Sequence, residues 1–203
     1  MKIKLIAIIV FSLSFRNGSA QLEKTTTQVG ISVLPILDVL KFFPDNEIYG
    51  FAVAGNLGYL TINKLSIGIQ PYYSKVSNSY SSTWYGGPVK EHQQIQLYGL
   101  NTYLRYYFVS KEKFLTYAQG SAGFGNFEQK TSYASSLTYI KNSHTNKAVF
   151  TALFGVGASY FVSKNVAIEL NVPYIYVNQI STNPYDKDFH SIAPTIGFQF
   201  YWK

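Results

Sequence analysis

The chain has 203 residues, no cysteine and a formal net charge of +7. The absence of cysteine excludes disulfides, thiolate metal sites, a cysteine nucleophile and lipid attachment through an N-terminal cysteine. Beyond residue 20 no basic cluster is denser than Lys111-Glu112-Lys113, which is too little for a surface that binds nucleic acid.

Residues 1–20 have the pattern of a secretory signal peptide. Two lysines precede an apolar run from Leu5 to Phe15, and the small residues Gly18-Ser19-Ala20 follow it. The run is too short for a membrane anchor, since a spanning helix needs about 20 apolar residues. We expect cleavage after Ala20, which removes three basic residues and leaves 14 Lys and Arg against ten Asp and Glu, a net charge of +4. Residues 21–203 then form one domain.

Eight segments of this domain alternate between bulky apolar and small or polar residues, as β-strands do. In the clearest one, 166–176, the even positions are aliphatic or aromatic, while Glu169, Asn171 and Pro173 occupy odd positions. A helix would break at the proline. Segment 114–128 has the weakest contrast. In chain order the predicted strands are 26–36, 48–61, 65–76, 94–108, 114–128, 148–162, 166–176 and 191–202.

The connections between these strands are of two kinds. Those after strands two, four and six are short, whereas the longer polar ones cover 38–47, 77–92, 129–146 and 179–190. In an up-and-down meander, alternate connections lie at the same end, so one rim has three tight turns and the other four long loops. Outer-membrane barrels have this asymmetry. We therefore predict an all-β fold: a closed eight-stranded antiparallel up-and-down transmembrane β-barrel.

A soluble lipocalin-like barrel is the alternative, because it also has eight strands in a meander. A face in water usually collects Lys, Glu and Asp, whereas the polar face here consists mainly of Gly, Ser, Thr, Asn and Gln. This favours bulky residues toward lipid and small ones toward the lumen. Aromatic residues near strand ends are predicted to lie at the membrane interface. They are Tyr49, Tyr59, Tyr98, Tyr106, Tyr160, Tyr174, Phe200 and Trp202.

Two segments, Tyr107-Phe108-Val109-Ser110-Lys111 and Tyr160-Phe161-Val162-Ser163-Lys164, each lead into a short turn. With the alternating aromatic ending 196–202, they make the chain resemble the small eight-stranded outer-membrane β-barrel family of the OmpA/OmpX type. The resemblance implies an integral protein of the bacterial outer membrane with membrane lipid as its surroundings. It also implies that the C-terminal strand is recognised by the barrel-assembly machinery, although Lys203 after the last aromatic departs from the usual signal.

Eight strands enclose an interior just wide enough for side chains to fill. The alternation points Arg105 and Glu169 inward, and buried charges are costly unless they are paired. We therefore predict a polar network that fills the lumen, and a narrow passive pore for small solutes is the alternative. The predicted members are Arg105, Glu169, Asn101, Asn171, Gln70 and Gln199.

Catalysis and metal binding have little support. The three histidines, His92, His144 and His190, lie apart in predicted loops or at their edges, and no metal or cofactor site is predicted. His190-Ser191 near Asp186 and Asp188 has residue types that a lipid A-modifying enzyme needs, but neighbours on a strand point to opposite faces. The expected role is structural or surface-interaction, with a possible extracellular ligand at the long loops, and the enzyme ranks third after the pore.

Overall fold

The computed structural model describes residues 25–36, 46–62, 64–84, 87–111, 113–135, 140–180 and 188–202. The predicted signal peptide and its cleavage point lie outside these residues, so they stay predictions. Much of the predicted loops 38–47 and 179–190 lies outside them as well.

The described residues form antiparallel strands joined in a ring. Strands β1 to β7 pair in chain order, and β9 pairs with both β7 and β1, which closes the ring. The predicted fold class, an all-β antiparallel barrel, is confirmed. The strands are β1 Thr27–Ile36, β2 Asn46–Ile62, β3 Leu65–Trp84, β4 Gly87–Lys111, β5 Phe114–Ser135, β6 Ile140–Phe161, β7 Val166–Gln179, β8 Phe189–Ile192 and β9 Thr195–Trp202.

Two of the four predicted long loops are wrong. Most of 77–92 belongs to β3 and β4, which pair as far as Trp84 and Gly87. Most of 129–146 likewise belongs to β5 and β6, which pair from Ala134 and Ile140 onward. These stretches lack period-2 contrast in the sequence, and the backbone pairing of neighbouring strands holds them extended.

The predicted last strand, 191–202, is interrupted and becomes β8 and β9. Pairing of β1 with β9 ends at Val33 and Ile196, and β8 pairs only with β7. At the interruption Ala193 donates its backbone N–H to the carbonyl oxygen of Pro173 at 3.2 Å. The next residue, Pro194, has no N–H to donate, so it cannot continue the ladder there.

Side chains alternate between the lumen and the outer surface along every strand, and the predicted parity of β7 is confirmed. Glu169 is buried, while Leu170 is half exposed on the outside. The outward face carries large apolar side chains on every long strand, and Phe124 and Phe154 are each 65% exposed. Within the described residues no helix is long and apolar enough to cross a membrane.

Candidate functional site: the barrel lumen

The turn-side half of the lumen contains a buried ion pair. Arg105 of β4 is 1% exposed and Glu169 of β7 is 4% exposed. The Arg105 guanidinium donates to both Glu169 carboxylate oxygens, from Nη1 at 2.7 Å and from Nη2 at 3.2 Å. Its Nε donates to Oε1 of Gln119 at 2.8 Å, and the Ser159 hydroxyl donates to Glu169 at 3.4 Å. Arg105 and Glu169, which the sequence alternation places inward, therefore bind each other and two neutral neighbours.

An aromatic layer lies against this ion pair on the turn side. The Arg105 guanidinium carbon is 4.1 Å from the Tyr117 ring centroid, within cation–π range. Tyr107 packs edge-on against Tyr117, with ring centroids 5.8 Å apart. The six buried members of this cluster are Tyr107, Leu115, Tyr117, Phe161, Ala167 and Tyr201. Together the ion pair and this cluster, which we call the plug, fill the lumen at the end with the tight turns.

Two inward tyrosines next to the ion pair lie over glycines on neighbouring strands. Tyr117 is opposite Gly157 in the register of β5 and β6, and a Cβ on that glycine would overlap the tyrosine ring. Tyr103 is opposite Gly68, and it also covers Gly58 one strand further along. Glycine is required at these positions because any larger residue would displace the ring. The sequence interpretation missed these tyrosines, although Tyr103 and Tyr107 share the parity of Arg105.

A layer of neutral polar side chains lies above the ion pair. Gln70 donates through Nε2 to Oδ1 of Asn56 at 2.9 Å and accepts from Ser121 at 3.3 Å. Asn101 accepts through Oδ1 from Thr151 at 2.7 Å. The predicted members of the network are thus split between two groups, and the sequence interpretation missed Gln119, Asn56 and Thr151.

Two further predicted members point inward without joining these groups. Both polar atoms of the Gln199 side chain lack a hydrogen-bond partner among the described residues. The same holds for Oδ1 of Asn171 and for Nδ2 of Asn101. Gln199 lies close to Gly30, whose added Cβ would overlap it.

The loop-side half of the lumen is not filled, contrary to the prediction. It contains a cavity of about 230 Å³. Gln119, which accepts from Arg105, lines it toward the ion pair together with Gln70 and Asn101 of the neutral polar layer, and Phe189 lines it on the loop side. Inward positions here include small residues such as Ala52, Ala54 and Gly155, which explains the free space. The larger lining residues are mostly apolar: Leu34, Tyr72, Val76, Leu97, Leu153, Ile175 and Val177.

The predicted interface aromatics lie on the outer surface. Seven of them are between 42% and 54% exposed. The eighth, Tyr98, is less exposed, and its hydroxyl donates to the Glu128 carboxylate at 3.2 Å. Their depth in a membrane stays a prediction.

Comparison with known proteins finds similarity in structure alone. No protein-family model matches the chain, and no curated protein matches it. Solved structures of small barrels do match. Ail, the attachment invasion locus protein of Yersinia pestis, is 12% identical, with a TM-score of 0.46 and coverage of 89% of this chain and 100% of that one.

Two other solved structures match over a similar length. The Neisserial surface protein A is 15% identical, with a TM-score of 0.41, covering 87% of this chain and 97% of that one. The outer membrane protease OmpT of Escherichia coli is 10% identical, with a TM-score of 0.45, covering 88% of this chain and 94% of that one. The likeness is one of fold.

The residue types considered for catalysis do not come together. His190 points outward, where its Nδ1 lies 2.7 Å from the Tyr174 hydroxyl, whereas Ser191 lines the cavity inside. Asp188 accepts from the Tyr176 hydroxyl at 2.9 Å. Asp186 lies outside the described residues.

The other two histidines are also on the outer surface. His92 bonds the Ser79 hydroxyl at 2.8 Å, and His144 is exposed on β6. In the described part of the chain, no three His, Asp or Glu side chains lie close enough together to hold a metal ion.

Proposed function

We propose that the chain is an integral β-barrel of the bacterial outer membrane whose lumen does not conduct and whose role is structural or surface-interaction. The observation that carries this proposal is the plug, in which the Arg105–Glu169 ion pair is stacked on a buried aromatic layer. A conducting lumen would need a continuous path for water, and a buried guanidinium whose three nitrogens each donate to Glu169 or Gln119 opposes such a path at that level.

The outer surface supports the membrane location. Soluble monomers rarely expose an apolar patch larger than a few hundred Å². Here exposed aliphatic and aromatic side chains occur on every long strand, among them Ile31, Leu57, Leu104, Phe154 and Leu170. Such a belt of outward apolar side chains is stable in a membrane, because apolar surface in contact with hydrocarbon does not carry the free-energy cost of contact with water.

The strand extensions support a surface-interaction role. On β4 the outward residues change from Leu100 and Tyr98 to Gln96, Gln94 and His92 toward the loop end. About ten residues of this strand therefore extend beyond the apolar belt, roughly 33 Å at the usual strand rise. Paired strands β3 to β6 form a polar wall of this kind, which offers a rigid surface for contact outside the cell.

Conductance in a planar lipid bilayer tests the proposal. The purified protein, with folding checked by the heat-dependent shift on a gel, is expected to give no discrete channels. The double variant Arg105→Ala/Tyr117→Ala, which removes two of the largest side chains of the plug, is expected to give channels. The outward variant Tyr106→Ala is the control and should stay silent. Stable channels from the unmodified protein would overturn the proposal in favour of the narrow passive pore.

Catalysis is not part of the proposed function. The opposite orientations of His190 and Ser191 support this choice, since a nucleophile and its base must lie within hydrogen-bond distance. One protein of similar fold, OmpT, is a protease, so the fold itself is compatible with enzymes. Loss of a measured lipid A modification in His190→Ala would contradict the proposal.

A further inference from the structure

The cavity above the plug has the make-up of a small-molecule binding site. Its walls are mostly apolar, as in typical ligand pockets, with a few polar groups at one end. An engineered protein cavity of about 150 Å³ lined by aliphatic and aromatic residues binds benzene. Scaled to a cavity of about 230 Å³, the space suits a molecule of roughly ten non-hydrogen atoms.

The floor of the cavity offers one donor and one acceptor. Asn101 is 1% exposed, and its Oδ1 is engaged by Thr151, but its Nδ2 has no partner among the described residues. Oδ1 of Asn171, which lines the same cavity, has none either. Buried polar atoms of this kind are costly unless a hydrogen bond engages them. A ligand head group that both accepts and donates would engage both atoms.

We propose that the loop-side half of the lumen binds a small amphipathic molecule, with an aliphatic or aromatic body and a single neutral hydrogen-bonding head such as a hydroxyl or primary amide. The body lies among Leu97, Leu153 and Ile175, and the head lies at Asn101 and Asn171. A neutral head is favoured over a carboxylate because the nearest charges, Arg105 and Glu169, already neutralise each other. A lumen of this size also excludes larger lipids with several acyl chains.

The test uses 4-propylphenol, which has ten non-hydrogen atoms and a hydroxyl that donates and accepts. The full-length protein in lipid nanodiscs, labelled at its aliphatic methyl groups, is titrated and followed by NMR. Methyl shifts are expected to saturate in the lining residues. Methyls on the outer surface report any probe that merely partitions into lipid. The lining set is Leu97, Leu153 and Ile175, and the outer set is Ile67, Leu104 and Ile196.

Three variants localise the binding. Leu153→Trp fills the cavity and is expected to abolish the saturable shifts, whereas Ala152→Trp, on the outer face of the same strand, leaves them unchanged. Asn171→Ala removes the acceptor. It is expected to weaken the binding of 4-propylphenol about fivefold while leaving the binding of 4-propylanisole, which cannot donate, unaffected, because one hydrogen bond is worth about 1 kcal/mol. The heat-dependent gel shift checks that each variant is folded.

Three results would overturn this inference: no saturable shifts, equal shifts in the lining and outer sets, or undiminished binding to folded Leu153→Trp. This inference and the proposed function both rest on the plug that fills the turn-side half of the lumen, but different results would overturn each of them. A conducting protein that binds the probe would overturn only the proposed function, and a silent protein that does not bind would overturn only the ligand site.

Discussion

The buried ion pair makes a sharp prediction for Glu169→Gln. This substitution keeps the shape of the side chain and removes its charge, so the Arg105 guanidinium loses its counter-ion while it stays 1% exposed. The hydrogen bond to Gln119 at 2.8 Å and the contact with the Tyr117 ring at 4.1 Å remain. The variant therefore removes the carboxylate charge and replaces one of the two oxygens that accept from Arg105 with an amide nitrogen, which cannot accept.

Removing one partner of a buried pair costs about 3–5 kcal/mol, because the other charge is left without compensation. The surviving cation–π contact and the neutral hydrogen bonds place this case at the lower end, about 3 kcal/mol of unfolding free energy. Since about 1.4 kcal/mol is a factor of ten, the unfolding equilibrium shifts roughly 140-fold. In the double variant Arg105→Met/Glu169→Leu both charges are gone, and we expect it to be more stable than Glu169→Gln.

Urea unfolding in lipid vesicles, followed by the folded band on a gel, measures these free energies. Glu128→Gln is a matched control: this carboxylate also accepts a hydrogen bond, from Tyr98, but on the outer surface. Its cost should be about 0.5 kcal/mol or less, as for most surface changes. The reasoning is refuted if Glu169→Gln unfolds at the same urea concentration as the unmodified protein, since the pair would then be hydrated.

Three further predictions concern packing, orientation and local stability. Gly157→Ala should lower the urea midpoint of unfolding, because the added Cβ overlaps a tyrosine of the plug. Gly120→Ala has nothing within 4 Å of the added Cβ and should leave the midpoint unchanged. Equal midpoints for the two variants would argue against the tyrosine–glycine packing. A membrane-impermeant maleimide should label His144→Cys in intact cells and Lys164→Cys only in lysed ones. The opposite result would mean that the barrel has the reverse orientation in the membrane. Backbone amides of Phe189–Ile192 should exchange with deuterium faster than those of β9, because β8 pairs with one strand only.

The alternating part of the fold was predictable because the two faces of a barrel wall differ strongly in residue type. Buried charges are costly unless they are paired, so Glu169 and Arg105 share the inward face with small and polar residues. The same alternation in β7 identifies which residues face outward. The weak contrast of 114–128 hid Gln119 and Tyr117, and inward aromatic residues were not expected among so many outward ones.

Two features could not be predicted from period-2 patterns. Segments 77–92 and 129–146 carry no period-2 alternation in the sequence, so they resembled loops although most of their residues lie in strands. The cavity depends on which inward side chains share a level, and this is set by the stagger of all strands around the ring. The contact between Tyr117 and Gly157, by contrast, could have been predicted once the register of β5 and β6 was known.

Oxygen accessibility along β7 tests the central claim, that this face of the barrel contacts lipid, most directly. The chain has no cysteine, so single cysteines for spin labels need no other change. In lipid vesicles, labels at Ile168, Leu170 and Val172 should be accessible to oxygen and shielded from a water-soluble nickel chelate, whereas a label at Asn171 should be far less accessible to oxygen. Strong contact of the chelate with labels at the three outward positions would mean that water surrounds this face, and it would contradict the account.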